Sequence, residues 1–372
     1  MAVTFQDYIN ALKSNIREPI VKVELLNADE QVIDIWDVDI ISGNIQLESG
    51  SGSTRSCNLL MQNTHGLYIP IPEEQLWINT KIRLWSGLRI DGEDYFISRG
   101  IFVIGDPEIN SLMAEKTANL SFYDKWALLD GTLGGELDSE YIIPVGTNIE
   151  TAVRAIFTSA GDVKNPIITA TDIATPYTLV GEIGGTLSDL LVRLSEMISW
   201  EVFYDSNGYG RFQPPADLKK TGSSWDFSEN EVNYLGGQHR YDYSKVRNAV
   251  RIVGDNVLGQ LFSGTAEDNN LTSPTRIELI GRRQKIIVDD LIFSNDLCQA
   301  RANYELRNSI ALFESANFSS IPIDILSGGS IVTITDTSAG FNGERFLINS
   351  INFPLLNEER MSINAWMTRD FS

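Results

Sequence analysis

The sequence predicts a mainly β protein with α+β character, in which two β-barrel domains flank a small α+β domain. Three observations predict it. Short runs of β-branched and apolar residues broken by turn residues fill 20–127 and recur after 239. Apolar residues at helical 3-4 spacing concentrate between those two regions. At 372 residues the chain also exceeds what one ordinary core serves. The expected division is 1–135 for an N-terminal helix and the first barrel, 136–238 for the α+β domain, and 239–372 for the second barrel with one helix.

Phe5, Tyr8, Ile9 and Leu12 in TFQDYINALK make a short amphipathic helix. IVKVELLN and QVIDIWDVDI, separated by Ala28-Asp29-Glu30, read as a hairpin. GNIQLE and RSCNLLMQN flank SGSGST at 49–54, a flexible loop by composition, and KIRLWSGLRI, YFISRGIFVIGDPEI and EKTANLSFYDKW complete the first strand set. The Gly-rich, acidic stretch GTLGGELDSE at 131–140 marks a boundary. Thr147 to Glu150 reads as a capping box opening a helix that Gly161 ends. A second helix runs from Thr186 with Leu187, Leu190, Leu191, Leu194 and Met197 on one stripe. WEVFY and YGRF around Asp205-Ser206-Asn207-Gly208 form a hairpin. In the last part, SNDLCQARANYELRN is a helix capped by Ser294, and SANFSSIPIDI, GGSIVTITD, ERFLINSINFP and RMSINAWMTR are strands.

The composition leaves little for catalysis. The two histidines, His65 and His239, and the two cysteines, Cys57 and Cys298, stand far apart, so neither a transition-metal site nor a disulfide framework is expected. No nucleophile elbow, P-loop or dinucleotide fingerprint occurs. Carboxylates are plentiful: Asp34, Asp37 and Asp39 cluster, and Glu73-Glu74 and Asp289-Asp290 are adjacent. Fifty acidic residues make chance pairs inevitable, so these read as solvated faces or turns. No cofactor and no enzymatic activity are expected. No apolar run reaches the ~18 residues of a membrane span, and the N-terminus lacks a secretory pattern, which places synthesis in the cytoplasm.

Formal net charge is −21, unevenly spread: −18 over 1–239, +1 over 240–310 and −4 over 311–372. So acidic a chain repels a phosphate backbone. KVRNAVRIVGDN at 245–256 looks basic, yet its neighbourhood is neutral, and its Val and Ile residues suit a strand with a core to bury. Lys245, Arg247 and Arg251 are then placed for salt bridges with acidic neighbours, within a subunit or between subunits.

Several segments in succession resemble the hub proteins at the tip of phage tails. RGIFVIGDPEINSLMAEKTANLSFYDKWALLDG (99–131) is similar to the strands and turn closing the first barrel of that family. YIIPVGTNIETAVRAIFTSAG (141–161) and TLSDLLVRLSEMISWEVFYDSNGYGRFQPP (186–215) resemble the segments that follow it. YSKVRNAVRIVGDN resembles the strand with which the second barrel begins, and GGSIVTITD and ERFLINSINF its closing strands. The resemblance covers nearly the whole chain in the family's order, and extends to the Mu-type hub and the type VI secretion spike.

The resemblance implies a structural, non-enzymatic protein of the virion tail, made in the host cytoplasm. Three copies would form a pseudo-sixfold ring joining the six-fold tail tube to a three-fold spike or fibre. Its implied partners are further copies of itself, tail tube or distal tail proteins, the central spike or fibre and the tape measure protein, with DNA only in transit. The net charge suggests an acidic lumen that keeps DNA from sticking. Longer family members carry a peptidase or lysozyme extension; none is expected after residue 372 here, which sets the expectation against a cell-wall-degrading role. Two other readings compete: a carbohydrate-binding adhesin using Trp77, Trp85 and Trp225, and a cell-wall hydrolase using a carboxylate pair.

Overall fold

The computed structural model describes residues 3–36, 39–72, 76–112, 115–216, 220–254, 261–289, 292, 294–311, 314–356 and 359–367. It is mainly β, with 45% strand and 16% helix. The chain opens with α1 (Phe5–Leu12), started by a capping box in which Thr4 and Asp7 satisfy each other's backbone amides. Seven strands follow: β1 (Glu18–Leu26), β2 (Val32–Trp36), β3 (Ile40–Glu48), β4 (Arg55–Gln62), β5 (Lys81–Ile90), β6 (Glu93–Ser111) and β7 (Lys116–Asp124). Alternation decides their faces. On β4, for example, Cys57, Leu59 and Met61 are buried while Asn58 and Gln62 are exposed.

A 3-10 turn at Lys125–Leu128 leads into the α+β unit. It contains β8 (Tyr141–Ile143), α2 (Ile149–Ser159), β9 (Ile167–Ile168), β10 (Leu179–Gly181), α3 (Leu187–Met197), β11 (Glu201–Tyr204) and β12 (Gly210–Gln213). The apolar stripes of α2 and α3 meet in one core with Trp126, Leu129, Val202, Tyr204 and Phe212. The helix from Thr186 and the hairpin of β11 and β12 form as the sequence predicts, and Thr186 with Asp189 closes a capping box at the start of α3. At α2 the cap is Asn148, whose Oδ1 accepts from Thr151 N, while the Thr147 hydroxyl donates to Pro144 O. The helix starts one residue later than the capping-box pattern suggests, because Asn is as good a cap as Thr and its amide also donates to Thr171 O at 2.8 Å.

The chain then returns to the first sheet with β13 (Trp225–Ser228) and β14 (Tyr234–Tyr241). β15 (Ala249–Gly254), β16 (Phe262–Glu267), α4 (Ile277–Ile280), β17 (Gln284–Asp289) and α5 (Asn295–Ala311) come next. The last strands are β18 (Glu314–Ser320), β19 (Ile331–Asp336), β20 (Phe341–Pro354) and β21 (Met361–Met367).

Two features of topology lie beyond the sequence pattern. First, the two β regions meet in one thirteen-stranded sheet, whose path runs β14-β18-β21-β20-β3-β4-β7-β6-β5-β1-β2, with β19 joined to β20 and β13 to β19. The seam is antiparallel pairing of β20 with β3, from Ser350 opposite Glu48 to Pro354 opposite Asn44. Gly328 lets the chain pass this seam, because a Cβ there would lie 2.1 Å from Glu48 O. A single hydrophobic cluster spans both sides, from Val23 and Ile82 to Phe227 and Phe346. Second, the strand in KVRNAVRIVGDN belongs to a separate three-stranded sheet, order β16-β15-β17, covered by α5. This small unit is inserted between β14 and β18, which are neighbours in the large sheet. Its core is Val250, Ile252, Ala266, Ile292, Cys298 and Ala302. Helix and sheet approach so closely that a Cβ on Gly264 would lie 2.3 Å from Gln299 N.

Candidate functional site

The structure gathers little that could do chemistry. Among the described residues no group of three His, Cys, Asp or Glu side chains is placed to hold a metal ion. His65 is exposed. His239 is buried between the rings of Tyr241 and Phe341, each 4.4 Å away, and faces Glu314 at 3.4 Å. Cys57 and Cys298 are buried and free, and burial pushes both thiols up, away from reactivity. Asp34 accepts from Ile35 N, and Asp39 from the Tyr68 hydroxyl. Asp37, Glu73, Glu74 and Asp290 lie outside the described residues. Asp205 accepts from Asn207 N and Tyr209 N and pairs with Arg211 at 2.6 Å, which closes the hairpin turn. The aromatic trio does not form a sugar platform: Trp225 is buried in the main core, and Trp85 lies under Lys22 and Arg83.

What the structure does build is a set of buried polar joints between its parts. Lys125 reaches Glu30 at 2.8 Å, Asp162 and the Gly208 carbonyl, and Lys164 reaches Glu30 at 3.0 Å. The side chains of Lys125, Glu30 and Asp162 are each 1–2% exposed. Burial pushes Glu30 up, but Lys125 and Lys164 more than offset it and leave its pKa below the usual carboxylate value. Glu30 comes from the β1–β2 turn, where it adopts φ 59°, and Asp162 and Lys164 from the loop after α2, so this cluster ties the α+β unit to the first strands.

A second joint centres on Asp124, the last residue of β7. Its carboxylate accepts from Thr54 N at 2.9 Å, Arg55 N at 3.1 Å and Trp126 N at 3.0 Å. Burial still dominates and pushes its pKa up to about 6. The SGSGST loop belongs to this joint: Gly52 N donates to Val202 O and Ser49 N to Asn349 O. A loop that composition marks as flexible is thus held against both β11 and β20.

The third joint fastens α1 across the seam. The Tyr8 hydroxyl donates to Asp324 at 2.6 Å, and its ring stacks on Tyr95. Arg99, fully buried over the Phe353 ring, donates to the Asp324 and Leu326 carbonyls, and burial lowers its pKa to about 10. Arg17 donates to the carbonyls of Leu12 and Pro322 and to Asn233. Sequence reasoning missed all three joints, because each partner looks like an ordinary surface charge in its own segment.

The three cations singled out from the sequence sit at and beyond the entry to the small unit. Lys245 pairs with Asp242 at 3.8 Å, and Arg247 donates to the Ser244 and Val246 carbonyls. Arg251 is exposed on the face of β15 opposite α5. They do not converge on one another. Ile286 and Val288 of the neighbouring β17 are exposed beside Arg251, which is registered opposite Ile286.

No family model matches the chain, and no curated protein matches it. Solved structures do. The 43 kDa tail protein of prophage MuSo2 from Shewanella oneidensis superposes with a TM-score of 0.64 at 16% identity, over 93% of this chain and 97% of that one. The tail protein from Neisseria meningitidis MC58 gives 0.66 at 12% identity, over 94% and 96%. The E. coli c3393 protein, a component of the type VI secretion system, gives 0.51 at 10% identity, over 89% and 74%. The chain therefore has the fold of phage tail proteins, shared with a type VI secretion component. The first two matches cover more than nine-tenths of this chain.

Proposed function

We propose that this protein is a structural hub of a phage tail tip or baseplate. In this reading three copies form a pseudo-sixfold ring that joins the tail tube to a spike or fibre and lets DNA pass. The observation that carries the reading is the superposition on tail proteins over more than nine-tenths of both chains. A fold shared at such low identity does not transfer function by itself, but the rest of the molecule agrees with the role. Its polar residues are spent on joints between parts, as a load-bearing ring requires, and no catalytic constellation accompanies them among the described residues. In this reading the protein works in the virion tail as a structural component, with other tail components as partners.

Among the described residues the hydrolase reading finds no carboxylate pair flanking a cleft, and the adhesin reading no shared aromatic platform. Asp124, the carboxyl raised to about 6, is enclosed by backbone amides and not in a cleft. Arg251, exposed among apolar side chains, is the cation best placed to bond a second copy. Sedimentation of the purified chain tests this: Arg251→Glu, or the companion Arg247→Glu, lowers the trimer fraction. Unchanged assembly in both variants returns these residues to plain surface.

A further inference from the structure

We infer that the outer face of the β8–β10 ribbon docks the open side of the β16-β15-β17 sheet of a second copy of this chain. The contact is read from the two surfaces; only the number of copies that close a ring rests on the tail reading above.

Ile143 and Leu179 of the ribbon turn into the core of the α+β unit, so by alternation Ile142 and Val180, registered opposite each other, face solvent. Val145 and Ile183, just past the two strand ends, are 60% and 69% exposed. The rim is acidic: Glu136, Asp138, Glu140 and Glu182 are exposed. Residues 126–153 and 165–192, the segments that build this face, hold eight carboxylates and no Lys or Arg. An exposed apolar patch with a polar rim marks an interaction surface. With a rim of one sign, its occupant must be apolar and cationic.

This chain carries such a surface itself. β17 is an edge strand, and its Ile286 and Val288, 60% and 71% exposed, share with Arg251 the side of the sheet opposite α5. Arg283 is exposed at the start of that strand. Among the described residues neither Arg251 nor Arg283 has a carboxylate partner, and Glu267, the carboxylate on this face, is taken by Arg282. An apolar edge of this kind is a template for pairing with another chain.

Within one chain the two surfaces do not meet, since the side chains of both are open to solvent. Helix α3 stands between them. The ribbon packs at its start, where Gly181 lies against Leu190, and Arg301 of α5 reaches the Glu196 carbonyl at its end. The helix is about 16 Å long at 1.5 Å per residue, and the β17 face lies on the far side of α5. Two different surfaces that meet between copies make a heterologous contact, which propagates until a ring closes.

Sedimentation of purified chains tests the contact with two blocked variants, Ile142→Asp/Val180→Asp on the ribbon and Ile286→Asp/Val288→Asp on the sheet. Circular dichroism checks their folding, and the corresponding Ser pairs serve if an Asp pair disturbs it. Each variant alone should associate about 100-fold more weakly than the unaltered chain. Mixed one to one, they should form a pair and go no further, because one keeps only the sheet surface and the other only the ribbon. Glu140→Lys/Glu182→Lys should weaken assembly about tenfold, and adding Arg251→Glu to that variant should recover part of the loss. Blocked variants that assemble like the unaltered chain, a mixture that stays monomeric, an unaltered chain that never associates, or a charge reversal that recovers nothing overturns the contact. Trimers persisting in the blocked variants would leave the hub reading standing without it. Absence of the chain from tails would instead refute the hub reading and leave the mixed pair as evidence for the contact.

Discussion

Replacing Lys125 with Met tests whether the buried ionic cluster is the joint between the α+β unit and the first strands. Met keeps the length of the stem and its packing while removing the ammonium. Glu30 still has Lys164 at 3.0 Å, but Asp162 loses its ammonium partner in a site where its side chain is 2% exposed. Breaking a buried ion pair from one side costs about 3–5 kcal/mol, because a charge is left buried without compensation. With m of about 2 kcal/mol/M in urea, the unfolding midpoint of the α+β unit falls by roughly 1.5–2.5 M. Trp126 and Trp200, which pack in and against that unit's core, report the transition by fluorescence. The double variant Lys125→Met/Asp162→Asn removes the orphaned charge as well, so it should be more stable than Lys125→Met alone. A loss under about 1 kcal/mol for the single variant, or strict additivity in the double-mutant cycle, would refute the reasoning.

Asp124 gives a pH signature. Its folded pKa, about 6, lies above its ordinary value of 3.8, so between these pH values the native chain holds a proton that the unfolded chain has lost. Its contribution to stability therefore falls as pH rises from about 4 to 6, by about 3 kcal/mol in all. Subtracting the urea stability of Asp124→Asn from that of the unaltered chain isolates this term; a difference that stays flat across the window contradicts it. At the start of α2, Asn148→Ala should cost about 1 kcal/mol and Thr147→Ala less, and thermal melts giving the reverse order would restore the cap to Thr147.

Much of the local structure was legible in the sequence, because its causes are local. Thr186 with Asp189 three residues on, the stripe from Leu187 to Met197, and the turn at Asp205 each carry their own signal. The alternation in SINAWM likewise places Ile363 and Ala365 in the core and Asn364 outside. What was not legible is what segments far apart do to one another. The pairing of Asn352 with Gln46 joins residues separated by most of the chain, and neither strand advertises its partner. KVRNAVRIVGDN was readable as a strand with a buried face, yet whether it opens the large sheet or a separate one depends on α5, fifty residues later. Lys125 shows the same limit most plainly: YDKW looks like a solvated strand end until Glu30 and Asp162 arrive from other elements.

Cryo-electron microscopy of tails containing this chain tests the central claim most directly. The account predicts a ring of three copies at the tail tip. Tails in which the chain is absent from the tip, or is present as isolated single copies, would contradict it.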